Sequence, residues 1–229
     1  MELIKELKQS KIIRNVLLAL MGTVLLSVSA KIKIPFYPVP MTMQTLVVIF
    51  LGIALGWKLG IATVTLYLFE GIIGLPVFAG SPEKGIGIVY FTGPTMGYLI
   101  GFLFTVYFAG SFRFSGNLFN LFNLFKRFLT SLKSFFKLSF NNQPGQFNHF
   151  RRESKLFGIE LILFGKDFLK LIFSVSFIYI LGILWLGTLI GWQKPLFQLG
   201  VQPFLLAELF KVLIVLFSLS KIKKLNLYL

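Results

Sequence analysis

The chain has 229 residues, of which 56% are hydrophobic and 14% charged, and its mean hydropathy is +0.82. A soluble domain of this size would be about half apolar and a quarter charged, so these values describe a polytopic membrane protein. A net charge of +15 points to nucleic acid only if the basic residues share one surface, and here they lie at the termini and between apolar segments; the lack of cysteine excludes disulfides, thiolate nucleophiles and thiolate metal sites.

A bilayer core of about 30 Å requires about 20 apolar residues of helix, and six windows qualify, which makes the expected fold an all-α bundle of six transmembrane helices in one domain, 1–229. The first is 12–30, preceded by Lys5, Lys8, Lys11 and Arg14. Its "SVSA" ending resembles a signal-peptidase site, but the long basic head and the further spans favour an uncleaved first helix. The second and third, 42–56 and 58–71, are short and joined by a tight "GWKLG" turn. The fourth lies within the charge-free run 85–112, the fifth is 167–192 and the sixth 203–220.

Lys and Arg fall unevenly on the alternate connections. Eighteen lie on the side holding both termini, Lys58 and the long connection between the fourth and fifth spans, four lie on the other side (Lys31, Lys33, Lys84, Lys194), and Lys211 is inside a span. By the positive-inside rule both termini are cytoplasmic in a plasma membrane, and nucleic acid is not a partner.

The long connection, 113–165, is a basic, Phe-rich insertion. Its stretch 117–137 places Leu118, Leu121, Phe122, Phe125, Phe128, Leu129, Leu132, Phe135 and Phe136 at helical spacing. That pattern fits either a helix lying on anionic lipid or a poorly ordered insertion. The following "SFNNQPGQFNHFRRESK" looks disordered, and its lone His149 lacks the partners that a metal or catalytic role needs.

Ionisable residues inside spans are costly and by default face the bundle interior. Glu70, Glu208 and Lys211 qualify. Glu208 and Lys211 are three apart on one helix face, which suits either a self-neutralised structural pair or an acceptor and donor offered to a ligand in an apolar pocket. Glu70 suits either ligand contact or capping of loop N–H groups. The outward loops "IPFYPVPMTMQT" (34–45), "GLPVFAG" (74–80) and "GWQKPLFQLGVQP" (191–203) are apolar enough to fold back over such a pocket. No phosphate-binding loop, Ser/His/Asp set or metal cluster occurs, so no enzyme and no cofactor is expected.

Five runs, "FYPVPMTMQTLVV" (36–48), "YLFEGIIGLPVFAG" (67–80), "GPTMGYLIGF" (93–102), "YILGILWL" (179–186) and "PFLLAELFK" (203–211), together resemble the BioY family, the biotin-specific membrane subunits (S components) of energy-coupling-factor (ECF) transporters. The resemblance implies six helices, cytoplasmic termini, an outward biotin site, and as partners a transmembrane coupling subunit and ATPase subunits. It implies that Glu208 accepts the ureido N–H groups of biotin, that Lys211 holds Glu208 or the ligand, and that Phe36, Val39, Pro76, Phe78, Tyr98 and Trp185 form apolar walls. The row Ala19, Thr23 and Ser27 permits close helix approach; it suits either contact with the coupling subunit, as the family's A-x-x-x-A-like row implies, or packing within the bundle. The chain departs from the family in Glu208 for the usual Asp, in Met96-Gly97 for a double Gly, in "SPEKGIGIVY" and in the insertion. A carrier of another vitamin, or a membrane scaffold, is the alternative function.

Overall fold

The structure is a computed structural model. It describes the backbone of residues 2–83, 85–115, 118–138 and 144–226, and side chains within 11–83, 85–115, 122–133 and 148–222. Lys84 and the side chains of Lys5, Lys8, Leu118, Leu121, Phe135, Phe136, Lys137, Lys223 and Lys224 lie outside the described residues. In chain order the elements are α1 (Glu2–Lys31), the antiparallel pair β1 (Lys33–Ile34) and β2 (Met41–Thr42), α2 (Gln44–Ile72), a 3-10 turn (Gly87–Thr92), α3 (Met96–Ser111), α4 (Leu118–Leu138), α5 (Pro144–Ile190), the short α6 (Leu196–Gly200), a second 3-10 turn (Gln202–Phe204) and α7 (Leu205–Asn226).

Among the described residues, four helical stretches are long and apolar enough to cross a membrane: Lys11–Lys31, Gln44–Ile72, Asn148–Ile190 and Leu196–Ile222, with Met96–Ser111 as a shorter apolar helix. The protein is an all-α membrane protein. Helix α2 is not a single rod. Gly56 interrupts it with φ 73° and ψ 167°, a left-handed conformation that glycine adopts without a Cβ clash, and the chain doubles back there. Gln44 Nε2 donates to the Tyr67 hydroxyl at 2.7 Å, although 23 residues of straight helix would separate the two by about 35 Å. The two arms of α2 cover the windows 42–56 and 58–71 in which the second and third spans were expected.

The charge-free run 85–112 is helical over only part of its length, because Gly85 and Gly87 take positive φ and Gly93-Pro94 interrupts the chain before α3 begins. Helix α3 then packs tightly on α5: a Cβ at Gly97 would strike the Leu181 carbonyl, and one at Gly101 would lie 2.5 Å from the Ile178 Cα. Small residues four apart allow this approach. One apolar core gathers α2, α3 and the loop after α2 around Val48, Val64, Tyr67, Phe78 and Phe102. A second joins α2, α5 and α7 around Ile49, Leu171, Val212 and Leu216. The outward sides of α1, α5 and α7 expose Met21, Val24, Ile180, Leu206 and Phe217, each at least half exposed, the composition expected of a lipid-facing surface.

The insertion differs from its expectation. Helix α4 forms where periodicity placed it, but it pairs with the N-terminal part of α5 instead of lying alone: Phe128 stacks on Phe157 at 5.5 Å, and Arg127 bonds the buried Glu153 at 2.7 Å. Residues 144–155, expected to be disordered, are helical, because α4 gives their Phe150 and Glu153 partners.

Candidate functional site

Three segments of the chain converge where α7 begins. Glu208 and Lys211, one turn apart on α7, are 6% and 3% exposed, and Lys211 Nζ donates to Glu208 Oε1 at 2.7 Å. The strand β2 brings the Thr42 carbonyl, which accepts from Lys211 Nζ at 2.6 Å, and the start of α2 brings Thr45, whose hydroxyl donates to the same Oε1 at 3.1 Å. Glu208 Oε2 is buried and makes no hydrogen bond of ordinary length among the described residues, while the Tyr179 phenol interacts with the same carboxylate. A buried carboxylate oxygen of this kind costs free energy unless a donor reaches it.

A cavity of ≈ 50 Å³ opens beside this carboxylate. Its apolar walls are Val39, Leu99, Phe102, Ile178 and Phe204, and its polar rim is Gln44, Thr45, Thr95, Tyr90, Tyr98 and Tyr179, with Glu208 at the end. The volume is that of a few waters. The rim is itself held in place. Tyr98 donates to the Gly200 carbonyl at 3.0 Å, and Gln44 is fixed by Tyr67 and by the Thr42 hydroxyl at 3.2 Å. Burial pushes the Tyr90 phenol above its ordinary value, so it stays a neutral donor at physiological pH. Among the described residues no group of His, Asp and Glu is placed to hold a metal ion.

The structure brings together part of the set expected from sequence. Val39, Tyr98 and Glu208 line the cavity, with Lys211 bonded to Glu208 beside it. Phe36 stands edge-on to Phe204 at 6.1 Å, and Phe78 lies behind the wall, stacked on Tyr90 at 4.7 Å. Pro76 and Trp185 are not brought to the cavity: Pro76 is exposed and gives its carbonyl to Lys31, while Trp185 Nε1 donates to the Gly93 carbonyl at 2.9 Å and so braces the turn before α3. Glu70 does not line it either, and its backbone carbonyl, not its carboxylate, receives the loop N–H of Leu75. Gln44, Thr45, Tyr90, Tyr179 and Phe204 were not singled out from sequence. Four of them fall inside the motif runs, where a residue's side chain is not fixed to the cavity by its type alone; Tyr90 lies outside those runs.

Ala19 and Thr23 are 8% and 2% exposed, and the adjoining Gly22 faces Thr63 and Leu51 of α2, which accords with packing within the bundle, one of the two readings of this row. Ser27, half-buried, bonds back to the Thr23 carbonyl at 2.8 Å. The free face of α1 instead carries Leu17, Met21, Val24 and Val28.

Comparison with known proteins adds an independent line. The model of the BioY family matches residues 4–227. The probable biotin transporter BioY of Pyrococcus horikoshii is 30% identical over 198 residues, 86% of this chain and 89% of that one. The biotin transporter BioY of Thermotoga maritima is 41% identical over 97 residues, 42% of this chain and 56% of that one. The crystal structure of the S-component for biotin from an ECF-type ABC transporter superposes with a TM-score of 0.58 at 23% identity, covering 94% of this chain and 93% of that one, which is a likeness of fold.

Proposed function

The chain belongs to the BioY family, and on that premise we propose that it captures biotin at the outer face of the plasma membrane as the S component of an ECF-type transporter. It is a binding subunit and not an enzyme; coupling and ATP hydrolysis belong to separate transmembrane and ATPase subunits. Six crossings, by α1, the two arms of α2, α3, α5 and α7, put both termini in the cytoplasm, in keeping with the bias of basic residues.

The observation that carries the assignment is Glu208 Oε2, a buried acceptor without a hydrogen bond of ordinary length beside an apolar cavity. The ureido ring of biotin offers two N–H donors on an apolar bicycle, which matches that acceptor and walls such as Val39, Phe102 and Phe204. Lys211 holds the carboxylate in place by donating to Oε1. A hydrogen bond to a charged group contributes about 1.5 to 3 kcal/mol. Binding of biotin to the purified protein, measured against other small vitamins, tests the proposal. Preferential binding of another vitamin would reassign the substrate, and no binding of any would leave the Glu208–Lys211 pair as structural.

A further inference from the structure

All three N–H donors of the Lys31 ammonium have partners on one loop. At the last residue of α1, Nζ donates to the carbonyls of Pro76 at 2.8 Å, Phe78 at 3.0 Å and Ser81 at 3.0 Å, which uses the full donor capacity of a lysine. From the opposite side Tyr67, on the second arm of α2, donates to the Val77 carbonyl at 3.1 Å. Three successive carbonyls, of Pro76, Val77 and Phe78, are thus held by side chains from two different helices. The Phe78 ring packs among Tyr67, Tyr90 and Phe91 and the Ser81 hydroxyl donates to the Phe78 carbonyl at 2.9 Å, but the backbone before it has only Leu75 N to Glu70 O at 3.0 Å and Val77 N to Leu75 O at 2.8 Å, and Leu75 and Pro76 are exposed.

The held segment reaches the cavity through one residue. Ala79 lines it directly, and Phe78, 2% exposed, backs Tyr90, which also lines it. A role in topology does not explain Lys31, because on the outward side a basic residue runs against the positive-inside bias. Its own hydrogen bonds do explain it.

We infer that Lys31 is a positioning residue for the site: it fixes the 76–81 backbone, which reaches the cavity at Ala79, and thereby sets how long biotin stays bound. This rests on the biotin-binding assignment above, and the test separates the two. The whole chain lacks cysteine, so Ala79→Cys places a single buried thiol on the held loop. In full-length protein in lipid vesicles, Lys31→Met, which removes the donors and keeps the length, should raise the rate of thiol modification at position 79 about tenfold. Without the Cys reporter, the same substitution should speed biotin dissociation about tenfold. Lys31→Arg should restore most of both, and Lys33→Met, the same charge change two residues away, should do neither. The inference is overturned if Lys31→Met leaves the modification rate unchanged, if Lys33→Met reproduces its effects, or if Lys31→Met lowers the melting temperature while the dissociation rate stays at its parent value. Should the parent chain not bind biotin, the functional assignment falls, and the thiol arm still decides whether Lys31 holds the loop.

Discussion

Glu208 and Lys211 share one carboxylate oxygen, Oε1, at 2.7 Å, and leave the other, Oε2, buried and without a hydrogen bond of ordinary length. Glu153 Oε2, in the pair with Arg127, is left in the same state, so what sets Glu208 apart is the cavity that it lines. Glu208→Gln keeps the shape and removes the charge, and it should weaken biotin binding at least about tenfold in a folded protein. It also leaves the Lys211 ammonium buried without a counter-charge, which destabilises. The double variant Glu208→Gln with Lys211→Met should therefore recover melting temperature without recovering affinity. Recovery of both by the double variant, measured by titration and thermal unfolding in detergent, would show the pair to be structural.

The 76–81 loop also depends on a missing side chain. A Cβ at Gly71 would strike the Phe78 ring, whereas one at Gly158 on α5 meets nothing within 4 Å. Gly71→Ala should cost about 1 to 3 kcal/mol by overpacking and lower both melting temperature and biotin affinity. Gly158→Ala should be neutral or stabilising by up to about 1 kcal/mol, through helix propensity. Equal melting temperatures for the two variants would contradict this placement of Phe78.

Tyr67 ties the start of α2 to the loop, accepting from Gln44 at 2.7 Å and donating to Val77 at 3.1 Å. Tyr67→Phe strands a buried amide donor of Gln44, a penalty of about 1 to 3 kcal/mol. Thermal unfolding should show that loss, and adding Gln44→Leu should reduce it, since an apolar pair needs no bond. A full-sized loss in the double variant would speak against the network.

The reversal at Gly56 makes a topological prediction. Lys58→Cys, the single thiol of an otherwise cysteine-free chain, should react with a membrane-impermeant reagent only from the cytoplasmic side, and Gln193→Cys only from outside. Labelling of both positions from outside would mean that the α2 hairpin does not cross the membrane.

Much of this was legible in the sequence because composition and the spacing of charges follow directly from the bilayer. Glycines flanking Trp57-Lys58 announced a turn between two short spans, and an i, i+3 ion pair inside an apolar helix could only face inward. Other features depend on contacts that no local pattern encodes. Trp185 looked like a ligand wall but braces Gly93, and the choice between those roles is made by which way α5 rotates on Gly97 and Gly101. The row Ala19 and Thr23 suited either an external contact or internal packing, and which face of α1 meets α2 depends on Gly22 fitting over Thr63. The segment 144–155 read as disordered because its polar residues gain partners only once α4 lies alongside.

The burial of Ala19 carries its own expectation. Ala19→Leu should destabilise the isolated subunit by crowding α2, before any coupling subunit is added. A melting temperature unchanged by Ala19→Leu, with assembly lost, would return the row to the partner interface.

Helix α5 runs unbroken for 47 residues, about 70 Å at 1.5 Å per residue. Tyr179 at the cavity and Glu153 in the helical pair with α4 ride on the same mast, roughly 39 Å apart along its axis. Leaning that mast by about 20°, an ordinary inclination for a helix in a bilayer, swings the Glu153 end sideways by roughly 13 Å. The α4–α5 pair therefore works as a pointer that magnifies the posture of the whole subunit, and a spin label there would register a change of inclination too slight to see at the cavity itself.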